Sequence, residues 1–270
     1  MLRLHVLASG SGGNAALVTD DAHTGGFLID CGICKRDLLS GLESAGFSPA
    51  DVTDILITHD HSDHTKGLGV CTRALSQAGA CVRVRTSRAV RNASAPLEEA
   101  LGTDRVIFEP FRAGEALTVC GMQVHIFPTS HDAAESFGFR VESGHDALGY
   151  LTDTGRVTPE AHEALQYVRL LALEANHDAQ MLREGPYPYA IKRRIASDAG
   201  HLSNAQAAAE LEELLGSMGA GMLEAVAAMH VSQENNLYSL AEQALADVLR
   251  RYGHTARTLA AKQRTPVTLA

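Results

Sequence analysis

The chain has 270 residues, 45% of them apolar and 20% charged, a composition that supports a buried core and excludes a largely disordered state. Its 23 basic and 32 acidic residues leave a formal charge of −9, which excludes a protein that grips nucleic acid through bulk positive charge; any such contact must be local. The longest apolar runs, such as Leu170–Leu173 and Ala225–Met229, fall far short of the roughly 20 residues that cross a bilayer, and MLRLHVLASG breaks into glycine before a secretory core forms, so a soluble, cytoplasmic protein is expected.

Short β-like runs alternate with helical ones. Leu2–Ala8, Ala15–Thr19 and Gly26–Asp30 read as strands, and Lys35–Ala45 as a helix with Leu38, Leu39 and Leu42 on one face. A buried strand at Asp54–Thr58, a helix from about Lys66 to Ala78 and a strand at Cys81–Arg85 follow. The middle reads as a meander: Ala116–Cys120, Gln123–Phe127, Phe137–Glu142 and Leu148–Thr152. The second half alternates a helix at Pro159–Gln166, a strand at Val168–Glu174, helices at Asp178–Glu184 and Asn204–Leu215, a strand at Glu224–Met229 and a helix at Leu240–Tyr252, then a short basic tail. No linker or repeat interrupts this order. It suits one domain over residues 1–270, of the mixed α/β class, with two mixed β-sheets covered by helices.

Five cysteines, an odd number in a chain this long, argue for reduced thiols; Cys31-Gly32-Ile33-Cys34 reads as a glycine turn into a helix before it reads as a redox dithiol. The 13 histidines are the unusual feature. Thr58-His59-Asp60-His61-Ser62-Asp63-His64 follows directly on a strand, where His59 and His61 point to one side and a turn into the next helix brings Asp63 and His64 to the same pocket. Imidazole and carboxylate together suit zinc, manganese or iron, and the lack of cysteine argues against a closed structural zinc site.

His59-x-His61-x-Asp63-His64 resembles the metal-binding signature of the metallo-β-lactamase-fold hydrolases, a four-layer αββα sandwich. The rest of that pattern is matched in order by His131 in Pro128-Thr129-Ser130-His131-Asp132, Asp153 in Thr152-Asp153-Thr154-Gly155, and His230 in Ala228-Met229-His230-Val231-Ser232. The resemblance implies two divalent ions, one held by His59, His61 and His131, the other by Asp63, His64 and His230, with Asp153 shared. Such a pair makes hydroxide from bound water at neutral pH and clamps the oxygens of a displacement at phosphorus. Asp30 matches a carboxylate beside the metal loop, placed either to orient a ligand histidine or simply to form a turn.

Leu7-Ala8-Ser9-Gly10-Ser11-Gly12-Gly13-Asn14, Leu173-Glu174-Ala175-Asn176-His177-Asp178 and Gly200-His201-Leu202-Ser203-Asn204 resemble the WalJ/YycJ-type branch, proposed to be 5′→3′ exonucleases, and the likeness spans essentially the whole chain. It implies a DNA substrate, no membrane, and hydrolysis by a metal-bound hydroxide. The His201 segment is also similar to the Gly-His-Ser-Thr stretch of tRNA 3′-processing nucleases, which implies that His201, paired with Glu174, protonates the departing oxygen. His177 joins these as a further candidate. Ser203 or Asn204 is placed either to cap the following helix or to hold a phosphate. Lys192 and Arg193, with Arg194, form the densest basic cluster and either contact a phosphate backbone or are solvated; Tyr187 and Tyr189 either stack on a base or pack beneath the loop. Residues 154–229 leave no room for the long clamp of the RNA-processing relatives, which argues against RNA. The alternatives are a hydrolase of a small phosphodiester or thioester and a non-catalytic scaffold.

Overall fold

The computed structural model describes residues 1–23, 25–218 and 222–270. Glycine turns and short apolar runs resolve into two seven-stranded sheets. The chain lays down β1 (Leu2–Ala8), β2 (Ala15–Asp20), β3 (Gly26–Ile29), β4 (Val52–Leu56), β5 (Val82–Thr86) and β6 (Val106–Pro110) in the first sheet. It then passes to the second with β7 (Ala116–Val119), β8 (Met122–Pro128), β9 (Phe137–Ser143), β10 (Asp146–Leu151), β11 (Leu170–Glu174), β12 (Ala225–Met229) and β13 (Arg257–Ala260). Finally β14 (Val267–Leu269) returns to pair antiparallel with β1 and closes the edge of the first sheet.

Both sheets are mixed. β14, β1, β2 and β3 pair antiparallel, and β3 through β6 parallel. In the second sheet β7 through β10 pair antiparallel, and β10 through β13 parallel. The helices are α1 (Lys35–Ser44), α2 (Ser62–Thr65), α3 (Leu68–Gln77), α4 (Arg88–Ala93), α5 (Ala95–Leu101), α6 (Pro159–Leu165), α7 (Ala179–Glu184), α8 (Tyr189–Ile195), α9 (Asn204–Met218) and α10 (Tyr238–Arg251). Helices α1, α3 and α5 cover the first sheet, and α6, α9 and α10 the second, giving the expected αββα order.

The strand pattern explains the layering. In β11 and β12 every residue is buried: Leu170, Ala172, Ala225, Ala227 and Met229 enter the core between the sheets, while the alternate Leu171, Leu173, Val226 and Ala228 pack against the outer helices. A period of two on a sheet covered on both faces reads as a continuous apolar run.

Four parts depart from the sequence reading, the first being α8, which occupies a stretch between two expected helices where none was assigned. The unassigned stretch after β5 contains α4, α5 and β6. The helix expected from Lys66 starts at Ser62 as one turn, then resumes at Leu68. The basic tail is β13 and β14, one strand on the edge of each sheet. Among the described residues no helix is long and apolar enough to cross a membrane.

Candidate metal centre

All the expected ligand residues follow the C-terminal ends of strands, and three carboxyl-end residues carry unusual backbone. Asp30 after β3, Asp153 after β10 and His230 after β12 have φ of 62°, 57° and 52°. The left-handed region is costly for non-glycine residues and survives where surrounding structure enforces it. Here it turns each side chain off its strand axis toward a common point.

The loop after β4 is held by its neighbours' main chain. The amide of Asn14 donates to Asp63 O and that of Cys31 to His64 O, each at 2.8 Å, and Gly67 N donates to Cys31 O at 2.9 Å. Contact is so close at Gly32 that a Cβ there would stand 1.6 Å from Asp63 O. With α2 starting at Ser62, Asp63 and His64 sit in its first turn, and Thr65 Oγ1 ties the turn to His61 O at 3.0 Å.

Two groups of donor atoms result. In the first, His61 Nε2 donates to Asp132 O (3.1 Å) and His131 Nδ1 to Gly200 O (2.9 Å), which leaves His61 Nδ1 and His131 Nε2 facing each other 3.2 Å apart. His59 directs Nδ1 to Thr58 Oγ1 at 3.0 Å, and its Nε2 is buried without a partner. Burial pushes His59 well below the ordinary imidazole range and His131 below it, so both are neutral. Three imidazoles converging with one ring nitrogen each fit a borderline divalent cation.

The second group is acidic. His64 lies 2.7 Å from Asp30 through Nδ1, while its Nε2 is 3.4 Å from Asp63 Oδ2 and 3.3 Å from Asp153 Oδ2. His230 Nε2 is 3.3 Å from Asp63 and 3.5 Å from Asp153. Burial opposes charge on these imidazoles, but Asp153 with Asp30 and Asp63 outweighs it at His64, which is raised well above its ordinary value, and Asp153 with Asp63 raises His230 to about 9. Burial likewise opposes charge on Asp63 and Asp153, and the surrounding histidines overcome it, holding both carboxyls far below their usual range. Asp153 lies between the groups, its Oδ2 buried without a hydrogen-bond partner. This orphaned oxygen, the unpartnered Nε2 of His59 and a donor set of nitrogen and oxygen alone fit divalent metal ions.

Glu174 stands beside both. Its Oε2 accepts from the amides of Thr154 (2.9 Å) and Leu202 (3.2 Å), and its Oε1 lies 2.8 Å from His201 Nδ1. His201 thus aims Nε2 away from Glu174, and it lines a cavity of about 400 Å³ with Asp63, Asp153 and His230.

Other candidates lie elsewhere. Ser203 is the N-cap of α9, trading hydrogen bonds with Gln206 (Oγ to Oε1 2.8 Å; Gln206 N to Oγ 3.2 Å), and Asn204 pairs its amide with that of Asn236 at 2.8 and 2.9 Å. Neither lines the cavity, because both side chains are used in fixing the start of α9. Lys192 donates to Arg183 O, and Arg193 lies over the exposed Tyr189 ring; among the basic cluster it is Arg194 that reaches the cavity, clamped to Asp132. A step of one residue around α8, about 100° at 3.6 residues per turn, decides this, which composition cannot show. His177 is buried, its backbone bridged to Ser203. Asp30 both makes the turn and holds His64.

Three contributors went unassigned in the sequence reading. Asn14 Nδ2 lies 2.9 Å from His64 Nε2 and 3.2 Å from Asp63 Oδ2, Asn176 Nδ2 lies 3.1 Å from His230 Nδ1, and Ser9 Oγ accepts from His230 N at 2.8 Å. Their signal was present in the glycine-rich opening and in the stretch after Glu174, but not their targets.

Residues 26–223 match the family described as the beta-lactamase superfamily domain. The chain belongs to that superfamily. Within it, the chain is 34% identical over 252 residues to exodeoxyribonuclease YycJ of Bacillus anthracis, covering 93% of this chain and 90% of the relative. It is 32% identical over 244 residues to exodeoxyribonuclease WalJ of Streptococcus pneumoniae, covering 90% and 87%. These place it in the WalJ/YycJ-type branch. The crystal structure of the metallo-β-lactamase fold protein YhfI from Bacillus subtilis superposes with a TM-score of 0.71 at 17% identity over 99% of both chains, a likeness of fold. As a member of the superfamily with the donor groups described, the protein is a metal-dependent hydrolase that uses divalent ions.

Proposed function

We propose that the protein is a DNA exonuclease that degrades a strand from its 5′ end, with two divalent ions, manganese or zinc, at the paired donor groups. His59, His61 and His131 would hold one, Asp63, His64 and His230 the other, and Asp153 both. Bound there, such ions polarise the phosphoryl group and acidify water so that it attacks near neutral pH.

The chain's own residues supply the rest. Asp30 and the carbonyls of Asp132 and Gly200 fix the ring orientations of His64, His61 and His131, so the donor atoms are placed before substrate arrives. Glu174, held by two amides, accepts a hydrogen bond from Nδ1–H of His201, so that the proton His201 gives up is carried on Nε2, which faces the cavity. His201 then passes a proton to the departing sugar oxygen as the P–O bond breaks, which a poor alkoxide leaving group needs. Arg194, turned into the cavity, is placed to contact a non-bridging phosphate oxygen.

The observation that carries this reading is the His201–Glu174 pair, His201 sharing one cavity with His61, Asp63, Asp153 and His230, joined to the likeness over nearly the whole chain to two relatives named exodeoxyribonucleases. The 5′ direction rests on the likeness to the branch. The test is digestion of an end-labelled duplex by protein stripped of metal and reloaded with Mn²⁺ or Zn²⁺, with Asp63→Ala as control. A ladder released from the 5′ end only with metal is expected. Intact DNA beside hydrolysis of bis(p-nitrophenyl) phosphate would replace the reading with a small-ester hydrolase.

A further inference from the structure

A second cavity, of about 680 Å³, adjoins the metal centre. Consecutive residues divide the two: Ser11 and Ser232 line the metal cavity, and Gly12 and Gln233 line the second. Gln263, between β13 and β14, fixes this ridge. Its Oε1 accepts from Gly12 N at 2.7 Å and its Nε2 donates to Gly13 O at 2.8 Å. A Cβ at position 12 would lie 2.7 Å from that Oε1, so glycine keeps the ridge thin at this point.

The lining has two characters. Leu7, Ile33 and Pro266 supply apolar lining, and Arg36, Lys66 and Arg264 cationic groups. Three cations against one lining carboxylate, Asp37, reverse the sign of a chain whose formal charge is −9. Arg36 Nε meets Asp37 Oδ1 at 3.1 Å with both side chains exposed, a pairing that a stronger anion displaces at little cost. Lys66 Nζ rests on Gly12 O at 2.8 Å, on the ridge itself. The basic tail thus finds a place: it brings Arg264 across from the far end of the chain to face Arg36.

We infer that this cavity receives the nucleotide next to the scissile phosphodiester, its phosphate against Arg36, Lys66 and Arg264 and its sugar and base against Leu7, Ile33 and Pro266. The inference rests on the nuclease reading and adds a path for the strand. The cavity lies within the roughly 300–1,000 Å³ of ordinary ligand sites, and a lining that combines cationic with apolar side chains suits the phosphate and the sugar and base of a nucleotide. It also explains how an acidic chain holds a polyanion, through a short basic track beside the metals rather than a basic surface.

The test compares the metal-loaded wild type with Arg36→Glu/Arg264→Glu, both positions exposed. The substrates are a short thymidine oligonucleotide and bis(p-nitrophenyl) phosphate, which is too small to span both cavities. Binding of a phosphorothioate form of the oligonucleotide is followed by fluorescence anisotropy. Expected is a loss of about tenfold or more in kcat/KM and in affinity for the strand, with turnover of the small diester within about twofold, and a salt dependence of binding shallower by about 1 to 1.5 in log–log slope. Arg36→Gln/Arg264→Gln should fall between. Equal losses on both substrates, or an unchanged strand, overturn the inference while leaving the nuclease reading intact. Thymidine monophosphate competing as tightly as the strand binds would overturn the strand assignment in favour of a free-nucleotide site. A wild type that hydrolyses the small diester but neither binds nor cuts the strand removes the nuclease reading and the inference with it.

Discussion

The two sheets build the metal centre in different ways. The first sheet contributes His59, His61, Asp63 and His64 from one loop after β4, within six residues of sequence. The second contributes His131, Asp153, Glu174, His201 and His230 from the ends of separate strands and their loops. The local set is fixed by main-chain hydrogen bonds and a close approach at Gly32. The dispersed set is fixed by strand register, β10 to β11 to β12, which levels Leu151 with Leu173 and Ala228 and so brings the following residues together. The local set thus depends on one loop's shape, and the dispersed set, which completes both donor groups, on the register of the sheet as a whole.

The largest effect expected breaks the local set. Gly32→Ala drives a methyl into Asp63 O, main chain that cannot swing aside, so a loss of more than about 3 kcal/mol in unfolding free energy is expected, together with loss of stoichiometric metal. Urea unfolding and metal analysis of the dialysed protein check both, and a variant with wild-type metal content would show that the loop tolerates displacement.

The next separates the two sets. His201→Ala should lower kcat on DNA by about 10²- to 10³-fold while metal content holds. The loss on bis(p-nitrophenyl) phosphate should be far smaller, since p-nitrophenolate leaves without a proton. Equal losses on both substrates would point to a positioning role instead.

Asp30→Asn sharpens the link between them, since Asp30 belongs to the first sheet yet orients His64 toward Asp153. Metal affinity should weaken by about 10- to 100-fold, measured by competition with a chelator, with little change in kcat at saturating metal.

The smallest is a pH effect beside the dispersed set. Burial lowers His177 to about 4, below the 6.5 of an unfolded chain. The unfolded state therefore takes up the proton first. The contribution of neutral His177 is complete above pH 6.5 and is lost as pH falls through about 4, by at most about 3 kcal/mol. Unfolding of wild type and His177→Gln at pH 7 and pH 5 should show a steeper acid loss in the wild type; parallel losses would assign the acid sensitivity to other groups.

Much of this was legible in residue order. The spacing of His59, His61, Asp63 and His64 after an apolar run placed four donor side chains in one loop, and period-two runs located most strands because burial selects apolar residues locally. The parts that were not legible share a cause. β14 is three residues long and is a strand only because β1, at the opposite end of the chain, offers an unpaired edge. β6 is a mostly half-exposed edge strand whose pattern carries no alternation. Ser203 and Arg193 bear the right chemistry for phosphate, but the start of α9 and the face of α8 turn them from the cavity and present Arg194 instead.

By itself, then, the sequence determined the donor types, the local loop that gathers four of them and the alternation that layers helices over sheets, because each depends on neighbours within a few residues. Only the tertiary structure decided which ring nitrogens face each other, which carboxylate lies between the two donor groups, and that the basic tail returns to line a cavity with Arg36. Those depend on strand register and on backbone forced to positive φ at Asp30, Asp153 and His230, and long-range packing alone holds side chains there.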